Sequence, residues 1–115
     1  MEEEKLYDLA FLNKVSGGDK SFIIEMISTF KEVGPAYLEK ASELLQKNSI
    51  DSLSKETHRI IPGVSFLGAK SLENKLMLIE EYTKKHINLE EVPDLLNYCN
   101  DMIYKLIDTF EKDFG

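Results

Sequence analysis

His58 is the side chain in this sequence whose type and neighbours best suit group transfer. Lys55 lies three residues before it and Arg59 directly after it. An imidazole can act as a nucleophile near neutral pH, and the two cations beside it could neutralise the charge of an anionic group. A lone histidine on a helix surface most often has no such role. The position of His58 in the fold must decide between these two interpretations.

The other reactive side chains favour structural roles. His86 follows Lys84 and Lys85 at the expected end of a helix, where positive charge is favourable. Cys99 is the single cysteine, which excludes a disulfide framework and a Cys-rich zinc site, and its apolar surroundings predict burial. Neither histidine has a Glu three residues earlier, as a carboxylate-bridged metal bundle requires. We expect this chain to bind no metal and no cofactor.

Composition limits the partners that such a site could have. The 115 residues include 14 basic and 21 acidic side chains, a net charge of −7. This acidic balance argues against nucleic acid, which needs clustered Lys and Arg. The chain has no apolar run long enough to cross a membrane, and Met1–Lys5 does not resemble the start of a signal peptide. We expect a single domain over residues 1–115, in the cytoplasm, with a protein or small-molecule partner.

Apolar residues recur with helical spacing throughout the chain. Such runs cover residues 22–33, 37–45, 50–67, 69–79 and 92–110, and a shorter one covers 6–15. Gly34-Pro35 is expected to end one helix and begin the next. Because the connections are short, consecutive helices should be antiparallel neighbours. The sequence predicts an all-α protein, an antiparallel up-down-up-down four-helix bundle with a short N-terminal helix.

Pro62 and Gly63 interrupt the run that contains His58. Proline removes a helical hydrogen bond and clashes with the preceding turn, at a cost of about 3 kcal/mol. A turn at Pro62-Gly63 is therefore one interpretation. However, Leu53, Ile60 and Val64 keep one face across the proline, and a turn would normally reset that phase. We predict one kinked helix, and strained positions of this kind cluster at functional sites.

A continuous helix fixes the direction of His58. At 100° per residue, His58 points about 120° away from the apolar stripe and towards solvent. In the following helix, Glu80 lies within about 60° of the centre of the apolar face, where a solvated carboxylate is unusual. Glu80 could be an edge carboxylate paired with Lys84, or it could face another helix.

The residues after His58 resemble the core pattern of the histidine-containing phosphotransfer (HPt) family, H-x-L-K-G-S-S-x-x-L-G-A. His58 and Ile60 are in register with this pattern, as are Leu67, Gly68 and Ala69. Tyr7-Asp8-Leu9 and the run 17–23 also resemble the family's opening signature, so the resemblance covers essentially the whole chain.

The resemblance implies a phosphorelay intermediate whose exposed histidine carries a phosphoryl group between receiver-domain aspartates. It implies that His58 is the phosphoacceptor and that Glu80, 22 residues later, orients its ring, as a Gln or Glu often does in the family. Lys55 and Arg59 would supply charge for the phosphoryl group. Docking of the receiver would use the flank that includes Pro62, Gly63, Ser65 and Phe66.

The implied partners are receiver domains of response regulators and a hybrid sensor histidine kinase, with this chain a monomer. Mg²⁺ would be bound by the receiver, so this protein would be a carrier and not an enzyme. The chain departs from the pattern beside the histidine, where Ile61 replaces the usual Lys and Pro62 replaces the usual Gly. The alternative is a degenerate HPt-like module that binds receivers or kinases without being phosphorylated.

Overall fold

A computed structural model describes residues 6–115 and is all-helical over that range. The expectation for Met1–Lys5 lies outside the described residues. The described part contains five α-helices: α1 Ala10–Ser16, α2 Lys20–Gln46, α3 Ile50–Phe66, α4 Lys70–Lys85 and α5 Val92–Phe114. A 3-10 turn, Leu89–Glu91, precedes α5. No helix in this range is both long enough and apolar enough to cross a membrane.

Helix α2 passes through Gly34-Pro35, so the expected helix boundary there is wrong. Gly34 is buried, and a Cβ at this position would lie 2.8 Å from the Cγ2 atom of Ile103 in α5. The glycine therefore permits a close approach of two helices and does not form a turn. Pro35 has no backbone N–H, so the carbonyl of Lys31 lacks its helical hydrogen bond. Burial of Phe30 and Tyr37 on either side of the proline nevertheless stabilises the helix.

Helix α3 also continues through its proline, as predicted. Ile60 and Val64 flank Pro62 on the buried face, and the helix ends at Phe66. Gly68 then adopts a left-handed conformation with φ 66°. A Cβ on Gly68 would overlap the backbone carbonyl of Asp8 and lie 2.7 Å from its nitrogen. This glycine allows the N-terminal segment to cross the end of α3, where the Asp8 N–H donates to the carbonyl of Leu67 at 3.1 Å.

The four longer helices surround one apolar core. Helix α2 packs against α3 and α5, and α4 packs against the same two helices from the other side. The largest fully buried side chains come from these helices, from Leu12 of α1 and from Leu67 directly after α3. One buried polar link joins two of the helices: the hydroxyls of Tyr37 and Thr57 are 2.8 Å apart, and Thr57 also donates to the carbonyl of Leu53 at 2.8 Å. Burial raises the pKa of Tyr37.

Candidate functional site

His58 is on the solvent side of α3, as the sequence predicted, and its ring faces α4. Its side chain is 73% exposed, whereas that of Glu80 is 24% exposed. The Nδ1 atom of His58 lies 2.6 Å from Oε2 of Glu80. Glu80 therefore lies at the seam between the two helices and contacts the ring across it. The sequence left open whether Glu80 pairs with Lys84 instead, and no such ion pair forms among residues 6–115.

Buried threonines support both members of this pair. Thr57 precedes His58, and its bond to Tyr37 joins that turn of α3 to α2, while its bond to the carbonyl of Leu53 lies within α3. Thr83 is fully buried in α4 and donates to the carbonyl of Ile79 at 2.6 Å. The hydroxyl of Thr83 is also 3.2 Å from the carbonyl of Glu80 itself. The backbone on both sides of the imidazole–carboxylate contact is thus tied into the core.

Three cations line the same groove between α3 and α4 as His58. Lys55 and Arg59 were predicted to lie near the ring, and both line this groove. Arg59 also pairs with Glu56, with Nη1 3.2 Å from Oε1. The third cation is Lys84, which sequence reasoning considered only as a possible partner of Glu80. Its position one helical turn after Glu80 is the signal that could have identified it.

The four residues expected to form a docking flank are all exposed. Pro62, Gly63 and Ser65 follow His58 along α3, and a Cβ on Gly63 would meet no atom within 4 Å. Phe66 is 39% exposed, and its ring stacks on that of Phe11 with centroids 5.5 Å apart. On the exposed face of α3, the side chains before and beside His58 are therefore charged, whereas those after His58 are small or apolar.

His86 forms a second imidazole–carboxylate contact. Its Nε2 atom lies 2.8 Å from Oδ1 of Asp51, near the start of α3. His86 itself ends α4 in a left-handed conformation with φ 55°. This residue joins the ends of two helices, in agreement with the helix-end position predicted from the sequence.

Cys99 is buried, as predicted, and burial raises the pKa of its thiol to about 12. It lies in the core and does not contribute to the groove beside His58. Within residues 6–115, no three side chains of His, Cys, Asp or Glu come together in a way that could hold a metal ion.

The contact with Glu80 determines which ring nitrogen of His58 can react. A neutral imidazole that faces a carboxylate through Nδ1 carries its proton on that nitrogen. The lone pair is then on Nε2, which the pairing with Glu80 leaves free. An exposed, oriented Nε2 with cations beside it can act as a nucleophile towards an anionic electrophile.

Comparisons of the chain with protein-family models, curated proteins and solved structures give no match. The geometry of the groove and the sequence pattern around His58 are therefore the features from which a function can be inferred.

Proposed function

We propose that this protein is a phosphorelay intermediate in which His58 accepts a phosphoryl group from one receiver aspartate and passes it to another. The observation that carries the proposal is the 2.6 Å contact between His58 Nδ1 and Glu80 Oε2 on an exposed helix face. The packing of the four long helices against one another supports an antiparallel up-down-up-down bundle of the HPt type. Residues 6–115 would then form one carrier domain.

The transfer step follows from the orientation of the ring. The Nε2 lone pair of His58 forms a bond to phosphorus as the bond between phosphorus and the receiver's carboxylate oxygen breaks. The aspartate leaves as a carboxylate, and the ring becomes a phosphorylated cation that keeps its proton on Nδ1. Glu80 stabilises this cation because its carboxylate already accepts from Nδ1. No proton has to enter or leave during the step.

The partner would supply most of the catalysis. By resemblance, the receiver brings the Mg²⁺ and the residues that surround its aspartyl phosphate. This chain contributes an oriented nucleophile, cationic side chains and a flank in which Pro62, Gly63 and Ser65 add little steric bulk. It is therefore proposed as a carrier and not as an enzyme, with a hybrid sensor histidine kinase as the source of the phosphoryl group.

The test measures transfer of a labelled phosphoryl group from a phosphorylated receiver to this protein. We expect the wild-type protein to acquire a phosphoryl group that is labile in acid and stable in alkali, as an N–P bond requires. His58→Gln should acquire none. His86→Gln is the matched control, since His86 is also exposed and paired with a carboxylate. If wild type takes up no label, or if His58→Gln takes up as much as wild type, the phosphotransfer proposal is wrong.

Ile61 supports a second candidate function. The usual cation three residues after the histidine is replaced here by a half-buried apolar side chain. A degenerate module would bind receivers through the same face without phosphotransfer. Binding of a receiver at equal strength by wild type and His58→Gln, with no label on either protein, would favour this candidate.

A further inference from the structure

Three cations (Lys55, Arg59 and Lys84) and two carboxylates (Asp51 and Glu80) line the groove beside His58, so its lining carries one net positive charge when the imidazoles are counted as neutral. Two carboxylates line it, and each is bound by an imidazole: Glu80 by His58, and Asp51 by His86. The cations Lys55 and Lys84 line the same groove. Neither lysine forms a salt bridge within the described range 6–115. The two ammonium groups are available to an external anion, in a protein whose overall charge is −7.

The register of α3 against α4 places both lysines on the same side of the reactive ring. His58 faces Glu80, and Asp51, earlier in α3, faces His86, later in α4. The two helices are therefore antiparallel. Lys55 is three residues before His58 and Lys84 is four residues after Glu80, so each lies about 5 Å along the axis from the pair, towards the start of α3. A lysine stem is long enough to reach back over one turn.

On the other side of His58, towards the end of α3, this helix offers no lysine side chain. Ile61 and Pro62 follow the histidine there, and Gly63 is open to solvent. Arg59 shares its guanidinium with Glu56. Within the groove, a phosphoryl group on Nε2 would thus find ammonium groups towards the start of α3.

We propose that Lys84, together with Lys55, forms a phosphate-binding site across the α3–α4 groove and holds the phosphoryl oxygens on His58. Lys84 supplies from the neighbouring helix the charge that Ile61 cannot supply from α3. The role in phosphotransfer rests on the proposed function, whereas the phosphate site itself does not. The ligand is a phosphate dianion, either free or attached to the ring.

The first experiment uses inorganic phosphate and needs no phosphotransfer. Phosphate is titrated at constant ionic strength into the protein, and the ring resonances of His58 are followed by NMR. Removing one ammonium group at an exposed site should weaken binding about two- to fivefold in Lys84→Gln. Lys85→Gln is the matched control, because Lys85 is the next residue of α4, pairs with Glu81 and does not line the groove. The control should change the affinity less than twofold.

The second experiment measures phosphorylation of His58 by the small-molecule donor phosphoramidate and by a phosphorylated receiver. Lys84→Gln should slow loading about two- to fivefold relative to Lys85→Gln, and Lys84→Arg should restore the rate. Both lysines are exposed, and circular dichroism checks that the variants remain helical.

The outcomes separate this inference from the proposed function. If wild type is phosphorylated and the two glutamine variants behave alike in both experiments, the Lys84 site is wrong and the phosphorelay proposal stands. If wild type is not phosphorylated by either donor but binds phosphate in a Lys84-dependent manner, the phosphate site stands and the relay fails. Absence of phosphate binding to wild type in the titration overturns the site.

Discussion

Glu80→Ala tests how much the carboxylate contributes to the reactivity of His58. The substitution removes the acceptor 2.6 Å from Nδ1 and leaves the ring free to rotate and to change its tautomer. A neutral imidazole in water prefers the proton on Nε2, which would block the nitrogen proposed to react. We therefore expect slower phosphotransfer and a different tautomer.

The size of the effect follows from the exposure of the pair. A hydrogen bond to a charged group contributes about 1.5–3 kcal/mol when it is well shielded. The His58 side chain is 73% exposed and that of Glu80 only 24%, so solvent screening reduces the contribution to about 1 kcal/mol. Applied to the transition state, this corresponds to transfer that is about fivefold slower. The free energy of unfolding should fall by no more than about 1 kcal/mol, because the contact is at the surface.

The measurement combines rapid-quench transfer kinetics with proton–nitrogen correlation NMR of the ring. Wild type should show the proton of His58 on Nδ1, and Glu80→Ala should show a majority on Nε2. Glu81→Ala is the matched control, since Glu81 is exposed, adjacent in α4 and paired with Lys85. A transfer rate and tautomer in Glu80→Ala equal to those of Glu81→Ala would refute the orienting role.

Two further predictions concern the scaffold. Gly68→Ala should lower the free energy of unfolding by more than about 1 kcal/mol, because the new Cβ would overlap Asp8 and the backbone φ is 66°. Gly63→Ala should instead raise the free energy of unfolding by up to about 1 kcal/mol, because Gly63 lies in a helix with open space around it. Urea denaturation of both variants measures the difference. Burial raises the pKa of the Cys99 thiol to about 12. Because the thiolate is the nucleophile, Cys99 should react with a thiol reagent at about pH 8 only after denaturation. Rapid labelling of the folded protein would contradict the burial of Cys99.

Pro35 and Pro62, which lie inside helices, explain how far the sequence predicted the helices. Preservation of the apolar phase across Pro62 correctly predicted a continuous α3. The same test applied to Gly34-Pro35 would have predicted a continuous α2, since Phe30, Tyr37 and Ala41 keep one buried face across it. The local preference of Gly for a helix end and of Pro for a helix start predicts a boundary there, and burial against α5 overrides it.

Only part of the candidate site could be predicted from the sequence. The exposure of His58 followed from helical periodicity alone. The unusual place of Glu80 near an apolar face singled it out, but its role beside His58 was implied only by the family resemblance. Lys84 was missed because its relation to His58 depends on the register between two helices. That register is visible only in contacts such as the one between Asp51 and His86.

The sequence by itself determined an all-helical chain, the buried and exposed faces of its helices, and an exposed histidine with cations nearby. These features are local, because helical periodicity and burial follow from residue type and spacing along one segment. Only the tertiary structure decided which carboxylate meets His58, which ring nitrogen is left free, and that Lys84 shares the groove. The physical reason is that these relations depend on the axial offset of α3 against α4, which the packing of the whole core determines.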